Sequence, residues 1–171
     1  CYETAGNNGL FLNHVYTSYA PEEAYKLKEK YNNDMRKVKG YMLQKAKEEY
    51  VDYINLSKKI QKIKGPKTKV SDIEMLANFH MHDNFIHIHC LTHSFDPLSK
   101  KFINPPNPNK VIQQIAMEFE KKNADILLQG VAEGYDKSEG LKSRMGLIEE
   151  IKLDGTTDEQ AIDKLEGLKD S

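Results

Sequence analysis

Residues 77–93 read ANFHMHDNFIHIHCLTH, and in this stretch apolar side chains alternate with imidazoles. Five of the six histidines of the 171-residue chain fall within it. Such alternation is typical of a β-strand with two different faces, because successive side chains of a strand point to opposite sides. The stretch therefore decides between a β-hairpin and a continuous helix in the middle of the chain.

As a hairpin with Asp83-Asn84 as its turn, the stretch pairs His82 with Phe85 and His80 with His87. Cross-strand partners share a face of the sheet. One face is then wholly apolar and consists of Ala77, Phe79, Met81, Ile86, Ile88 and Cys90. The other face gathers Asn78, His80, His82, Phe85, His87 and His89. This separation favours the hairpin.

A helix that continues from Ser71 is the alternative, and it scatters the same apolar side chains around its axis. It would still align His80, Asp83, His87 and Cys90 on one side, because they are three or four residues apart. The hairpin gives the cleaner pattern, whereas the helical character of the flanking segments favours the helix.

Before this stretch, the sequence indicates a long helix. Pro21 suits a first helical turn, and apolar residues then recur three or four apart as far as Lys64, where Gly65-Pro66 ends the pattern. An unbroken helix over this range would be roughly 65 Å long. We therefore expect a break, first at Gly40 and next at Asn32-Asn33.

After it, residues 110–122 and 138–153 carry helical patterns, and a last helix follows a cap at Thr156 or Thr157.

The sequence thus predicts one domain over residues 1–171, with an extended lead-in at 1–19 and a proline-rich loop at 94–109. The predicted fold is mainly α: a helical bundle built on one long, broken N-terminal helix, which can include a β-hairpin at residues 78–90.

The imidazole-bearing face is a candidate metal site formed by His80, His82, His87 and His89. Histidine is the commonest metal ligand, and imidazoles suit Zn²⁺, Cu²⁺ and Ni²⁺. The chain has no Cys-x-x-Cys and no His-Glu-x-x-His motif. The alternatives are structural histidines, adventitious metal binding on a solvated strand, and a pH-responsive face.

The first residue is Cys1, and Cys90 is the other cysteine. Cys1 can be a lipid-modified terminus, half of a disulfide with Cys90, or an N-terminal nucleophile. The first two imply export to an oxidising or extracytoplasmic place, that is, an extracellular or cell-surface location. A boundary cut within a cytosolic protein is the remaining alternative.

The long helix is rich in tyrosine and lysine. Tyr31, Tyr41, Tyr50 and Tyr53 are candidate interaction residues, because tyrosine among basic side chains suits a protein interface or single-stranded nucleic acid. Ordinary core packing, with the ring buried and the hydroxyl wet, is the alternative and suits the pattern better.

Taken together, the sequence favours an exported, non-catalytic interaction protein that binds a protein or another macromolecule, or a small hydrophobic ligand. Nucleic acid is not favoured, and a membrane would be reached only through a lipid anchor at Cys1. The second hypothesis is a metal-binding protein that uses the histidine cluster at residues 80–89. The third is a hydrolase with Cys1 as nucleophile.

Overall fold

The computed structural model describes residues 11–82, 85–133 and 144–152, and the fold is mixed α/β. Across these ranges it has four strands: β1 (Phe11–Tyr19), β2 (Met75–His82), β3 (Phe85–His93) and β4 (Met145–Lys152). The same ranges contain three α-helices: α1 (Pro21–Lys30), α2 (Met35–Gln61) and α3 (Pro108–Lys122). A short 3₁₀-helix, Val70–Asp72, precedes β2.

The strands form one antiparallel sheet in the order β2-β3-β1-β4. Strand β3 therefore lies between β2 and β1, with Val15 of β1 opposite Cys90 of β3. On its other side, Val15 lies opposite Leu147 of β4, next to a shift of register between His14 and Val15. The two middle strands are consequently hydrogen-bonded along both edges.

The three helices pack against one face of this sheet and bury the hydrophobic core between the layers. The sheet contributes alternate residues of its two middle strands, namely Val15, Tyr19, Ile86, Ile88 and Cys90. The helices contribute residues that include Leu27, Met42, Ile54, Ile112 and Phe119. Because side chains alternate along a strand, the residues between these point to the opposite face.

The predicted helical bundle is wrong. Residues 145–152, which the sequence placed in a helix over 138–153, form strand β4, and residues 11–19 of the predicted lead-in form strand β1. The sequence after Ser71 enters strand β2 instead of a helix. Apolar spacing in such short segments fits both kinds of element, and pairing with neighbouring strands decides between them.

The long helical pattern is broken at Asn32-Asn33 and not at Gly40. Both asparagines have positive φ, 50° and 59°, a conformation that asparagine adopts more readily than most residues. The Asp34 side chain then caps α2 by accepting from the backbone N–H groups of Arg36 and Lys37. Gly40 stays within the helix.

The hairpin and its register are confirmed. His82 pairs with Phe85, His80 with His87, and Asn78 with His89. The turn residues 83 and 84 lie outside the described residues.

A buried charge cluster attaches the beginning of β4 to the helices. Arg144 is 1 % exposed, and its guanidinium donates to Glu23 of α1 at 2.6 and 2.8 Å and to Glu120 of α3 at 2.8 Å. The two carboxylates also accept hydrogen bonds from the backbone. Glu23 accepts from the N–H of Leu128, and Glu120 accepts from the N–H of Ala132. These contacts satisfy charges that would be costly to bury unpaired.

The proline-rich segment predicted at 94–109 is a loop up to Asn107, after which α3 begins at Pro108. A second buried ion pair, between Lys58 of α2 and Asp96, holds its beginning with an Nζ–Oδ2 distance of 2.9 Å. Burial alone would raise the pKa of Asp96, yet hydrogen bonds from Ser99, Thr68 and Lys58 lower it to about 2. Asp96 is therefore a structural carboxylate that stays ionised.

Candidate metal centre

Three histidines meet on the sheet face opposite the helices. His80 of β2 and His87 of β3 are directly opposite each other in the hairpin. His89 lies two residues further along β3 and so points to the same side as His87. The strand pairing alone therefore brings these imidazoles together. We call His80, His87 and His89 the histidine triad.

The rings of the triad are in mutual contact. The His80 and His87 rings stack with centroids 4.4 Å apart and planes 19° apart, and the His89 ring lies 4.8 Å from His80 and 4.9 Å from His87. One ring nitrogen from each histidine lies within 4.8 Å of the others. Around a tetrahedral ion with metal–nitrogen bonds of about 2 Å, ligand nitrogens are roughly 3.3 Å apart. Small rotamer changes would close the difference, so the triad can hold a metal ion.

His82, the fourth predicted ligand, is not part of the triad. Its ring centroid is 6.4 Å from that of His80, and its side chain is exposed at the end of β2. The prediction placed it with the others because it shares their face. Its position beside the turn, however, leaves it at the end of the cluster.

The sequence interpretation missed His14. This residue comes from β1, and its Nε2 lies 2.8 Å from Nδ1 of His89. Its side chain is almost completely buried, with 2 % exposed. The short apolar segment at 10–16 was a signal compatible with a strand, but pairing of β1 with β3 is a long-range contact that local periodicity does not report.

The environment of His89 keeps its ring neutral. Burial, together with the neighbouring His14, His87 and His80, lowers the pKa of His89 to about 4. A neutral imidazole is the form that binds a metal ion, because protonation occupies both ring nitrogens. His89 is therefore ready to act as a ligand at neutral pH without first losing a proton.

A small pocket adjoins His14 and His89. Its volume is about 10 Å³, and it is lined by His14, Leu76, Ala77, Asn78, His89, Cys90 and Leu91. That volume is about what one water molecule needs. Tyr16, whose ring centroid is 6.5 Å from that of His89, borders the site from strand β1.

The remaining histidine, His93, has a structural contact. Its Nδ1 donates to the Phe95 carbonyl at 2.8 Å, and its ring stacks on that of Phe95. Burial lowers its pKa, although the hydrogen bond to Phe95 opposes this effect. His93 is therefore positioned to stabilise the end of β3, and it is not part of the triad.

A further buried carboxyl group, that of Glu49, lies on the helix-covered side. Glu49 of α2 faces Thr17 of β1, whose hydroxyl is 3.4 Å from both carboxylate oxygens. Burial raises the pKa of Glu49 to about 8, against the opposing effects of Thr17 and Arg144. The side chain is 1 % exposed, so it has no access to a substrate in this conformation.

The predicted interaction tyrosines lie mainly in the core. Tyr41, Tyr50 and Tyr53 are 9 %, 0 % and 3 % exposed, and Tyr31 is partly buried against the core. The Tyr50 hydroxyl donates to the His93 carbonyl at 2.6 Å. These positions correspond to the core-packing alternative, with Tyr31 the one of the four that keeps partial access to solvent.

The predicted roles of Cys1 lie outside the described residues, so the lipid anchor, the nucleophile and the Cys1–Cys90 disulfide stay predictions. Cys90 itself is buried on the helix-covered side, and burial raises its pKa to about 12. It lies in the core, whereas His89 beside it in sequence points to the other face.

A shallow apolar groove lies elsewhere, between the end of α2 and the proline-rich loop. It has a volume of about 210 Å³ and is lined by Ile60, Pro105, Pro106, Asn107, Lys110, Val111 and Gln114. Sites for small organic ligands usually measure about 300–1,000 Å³. The groove is smaller than this range, and the hydrophobic small-molecule ligand stays a prediction.

None of the described helices combines the length and apolarity needed to cross a bilayer. Comparisons with family models, with curated proteins and with solved structures found no match for this chain.

Proposed function

We propose that this protein binds a divalent transition metal ion through His80, His87 and His89. The observation that carries the proposal is the convergence of three imidazole nitrogens within 4.8 Å on the two strands of one hairpin. Imidazole ligands suit Zn²⁺, Cu²⁺ and Ni²⁺, and they suit Mg²⁺ or Ca²⁺ poorly because those ions prefer oxygen.

The sheet supports this role because it holds the ligands on regular strands. Two of the three, His87 and His89, belong to β3, which is hydrogen-bonded to neighbours on both sides. Ligands on strands are positioned more accurately than ligands on loops. Folding of the sheet therefore already positions the three ligands, and metal binding needs only small rotations of the imidazole rings.

Metal affinity measured by isothermal titration calorimetry with Zn²⁺, Cu²⁺ and Ni²⁺ tests the proposal. We expect the wild-type protein to bind one ion with a Kd below about 1 µM, equivalent to about −8 kcal/mol. His87→Ala removes a ligand and should weaken binding at least tenfold. Thermal unfolding should shift upward with metal and return after chelation, since a ligand that binds the folded state stabilises it.

His82→Ala is the matched control, because it removes an exposed histidine of the same hairpin that lies outside the triad. Its affinity should equal that of the wild type. If His82→Ala and His87→Ala weaken binding equally, the ion is held adventitiously by exposed imidazoles and the proposal is wrong. The proposal would also be rejected if the wild-type protein bound none of the three ions with a Kd below about 10 µM.

A further inference from the structure

We propose that His14 is a positioning residue that holds His89 in the tautomer with hydrogen on Nδ1, so that Nε2 of His89 carries the lone pair for the metal. The inference rests on the proposed metal site and extends it to a residue outside the triad. It is argued from the contact between Nε2 of His14 and Nδ1 of His89 at 2.8 Å, together with the lone pair that a metal ion requires.

The contact allows two proton arrangements. A neutral imidazole has one nitrogen that donates and one that accepts, so one nitrogen of the pair must carry hydrogen and the other must not. If Nε2 of His14 donates, Nδ1 of His89 accepts and the hydrogen of His89 lies on Nε2. If Nδ1 of His89 donates to His14, Nε2 of His89 is left with its lone pair.

Only the second arrangement leaves His89 able to bind a metal while its hydrogen bond to His14 remains. Nδ1 of His89 is already occupied by His14, so Nε2 is the nitrogen that remains for an ion. Metal-ligating histidines commonly donate their other N–H to a hydrogen-bond acceptor, which fixes both the tautomer and the ring orientation. Here the acceptor is a second imidazole.

The position of His14 favours an orienting role over a ligating one. In the β1–β3 register His14 lies opposite Leu91 and Tyr16 opposite His89, so His14 is a diagonal neighbour of His89. Its ring centroid is 5.0 Å from that of His89, with the planes tilted by 46°. Because its side chain is 2 % exposed, few other rotamers are open to it.

Nitrogen-15 NMR of the imidazole rings tests the tautomer directly, without metal. We expect His89 of the wild-type apoprotein to carry its hydrogen on Nδ1. His14→Phe keeps a ring but removes the acceptor, so His89 should no longer be held in this form. His14→Gln places a carbonyl oxygen near the position of Nε2 and should restore it. Hydrogen on Nε2 of His89 in the wild type would refute the proposal.

Metal titration of the same variants gives the second readout. Loss of an outer hydrogen-bond partner usually weakens metal binding about 10- to 100-fold. We expect this loss for His14→Phe, with recovery in His14→Gln, in proteins whose amide spectra show an unchanged fold. Unaltered Zn²⁺ affinity in His14→Phe, or equal losses in the two variants, would overturn the positioning role.

The two proposals fail separately. If the wild type binds no metal while His89 carries its hydrogen on Nδ1 and loses this preference in His14→Phe, the metal-binding function is rejected and the action of His14 on His89 is upheld. If the wild type binds metal and the His89 tautomer does not depend on His14, only the positioning role is rejected.

Discussion

The two faces of strand β3 differ in what their side chains do. Ile86, Ile88 and Cys90 are at most 1 % exposed and pack under the helices, whereas His87 and His89 between them form part of the triad. One face thus supplies apolar contacts and the other supplies ligand atoms. A slip of the register by one residue would exchange the faces and place imidazoles in the core, which makes the observed register strongly favoured.

The largest expected effect comes from breaking the charge cluster on the helix-covered side. Arg144→Met keeps most of the side-chain volume but leaves Glu23 and Glu120 buried without their guanidinium. Removing one partner of a buried ion pair typically costs about 3–5 kcal/mol of unfolding free energy. Urea unfolding measures this change. Glu118→Gln, on the exposed side of α3, is the control, and an equal loss in both variants would contradict the structural role of Arg144.

A pair of adjacent substitutions compares the two faces directly. Ile88→Ala leaves a cavity under the helices and should cost about 2–5 kcal/mol of unfolding free energy, with metal affinity retained in the folded protein. His87→Ala should cost less stability and remove most of the metal affinity. Chemical unfolding and calorimetry of the two variants measure both quantities. Loss of metal binding in Ile88→Ala with an intact fold would show that the faces are not independent.

A pH-dependent effect concerns Glu49 on the helix-covered side. Its pKa of about 8 in the folded protein exceeds the ordinary value of 4.5, so the folded state retains a proton that the unfolded state has lost. The unfolding free energy should therefore fall as the pH rises from about 4.5 to 8, at most by about 1.4 kcal/mol per pH unit, and level off above it.

Glu49→Gln should remove this pH dependence because the amide does not titrate. Exposed Glu118→Gln on α3 is the control and should leave the slope unchanged. Unfolding free energies measured between pH 5 and 9 give the comparison. Parallel curves for the wild type and Glu49→Gln would contradict the raised pKa.

The hairpin could be predicted from the sequence because its information is local. Alternation places Ile86 and Ile88 on one side and His87 and His89 on the other, and a two-residue turn then sets the pairing. Three of the four predicted ligands follow from this arrangement alone. His82 shares the face, but its position at the strand end separates it from the triad, and alternation carries no information on that separation.

The rest of the sheet could not be predicted because its information is non-local. Residues 145–152 have apolar spacing that fits a helix as well as a strand, and only pairing with β1 selects the strand. The same long-range pairing brings His14 to His89, which are 75 residues apart in sequence. The helical pattern is interrupted at Asn32-Asn33, where both residues have positive φ. Asparagine adopts this conformation readily, and this tendency decides the position of the break rather than the flexibility of Gly40.

Strand β2 is one of the two edge strands of the described sheet, and it carries His80, whereas the other two triad members lie on interior strand β3. An ion held by the triad would therefore connect this edge strand to an interior strand of the sheet. Removal of that ion should raise the amide exchange rate of β2 more than that of β3, because an edge strand has fewer hydrogen bonds to break on opening. The metal ion would then stabilise the part of the sheet that opens most readily.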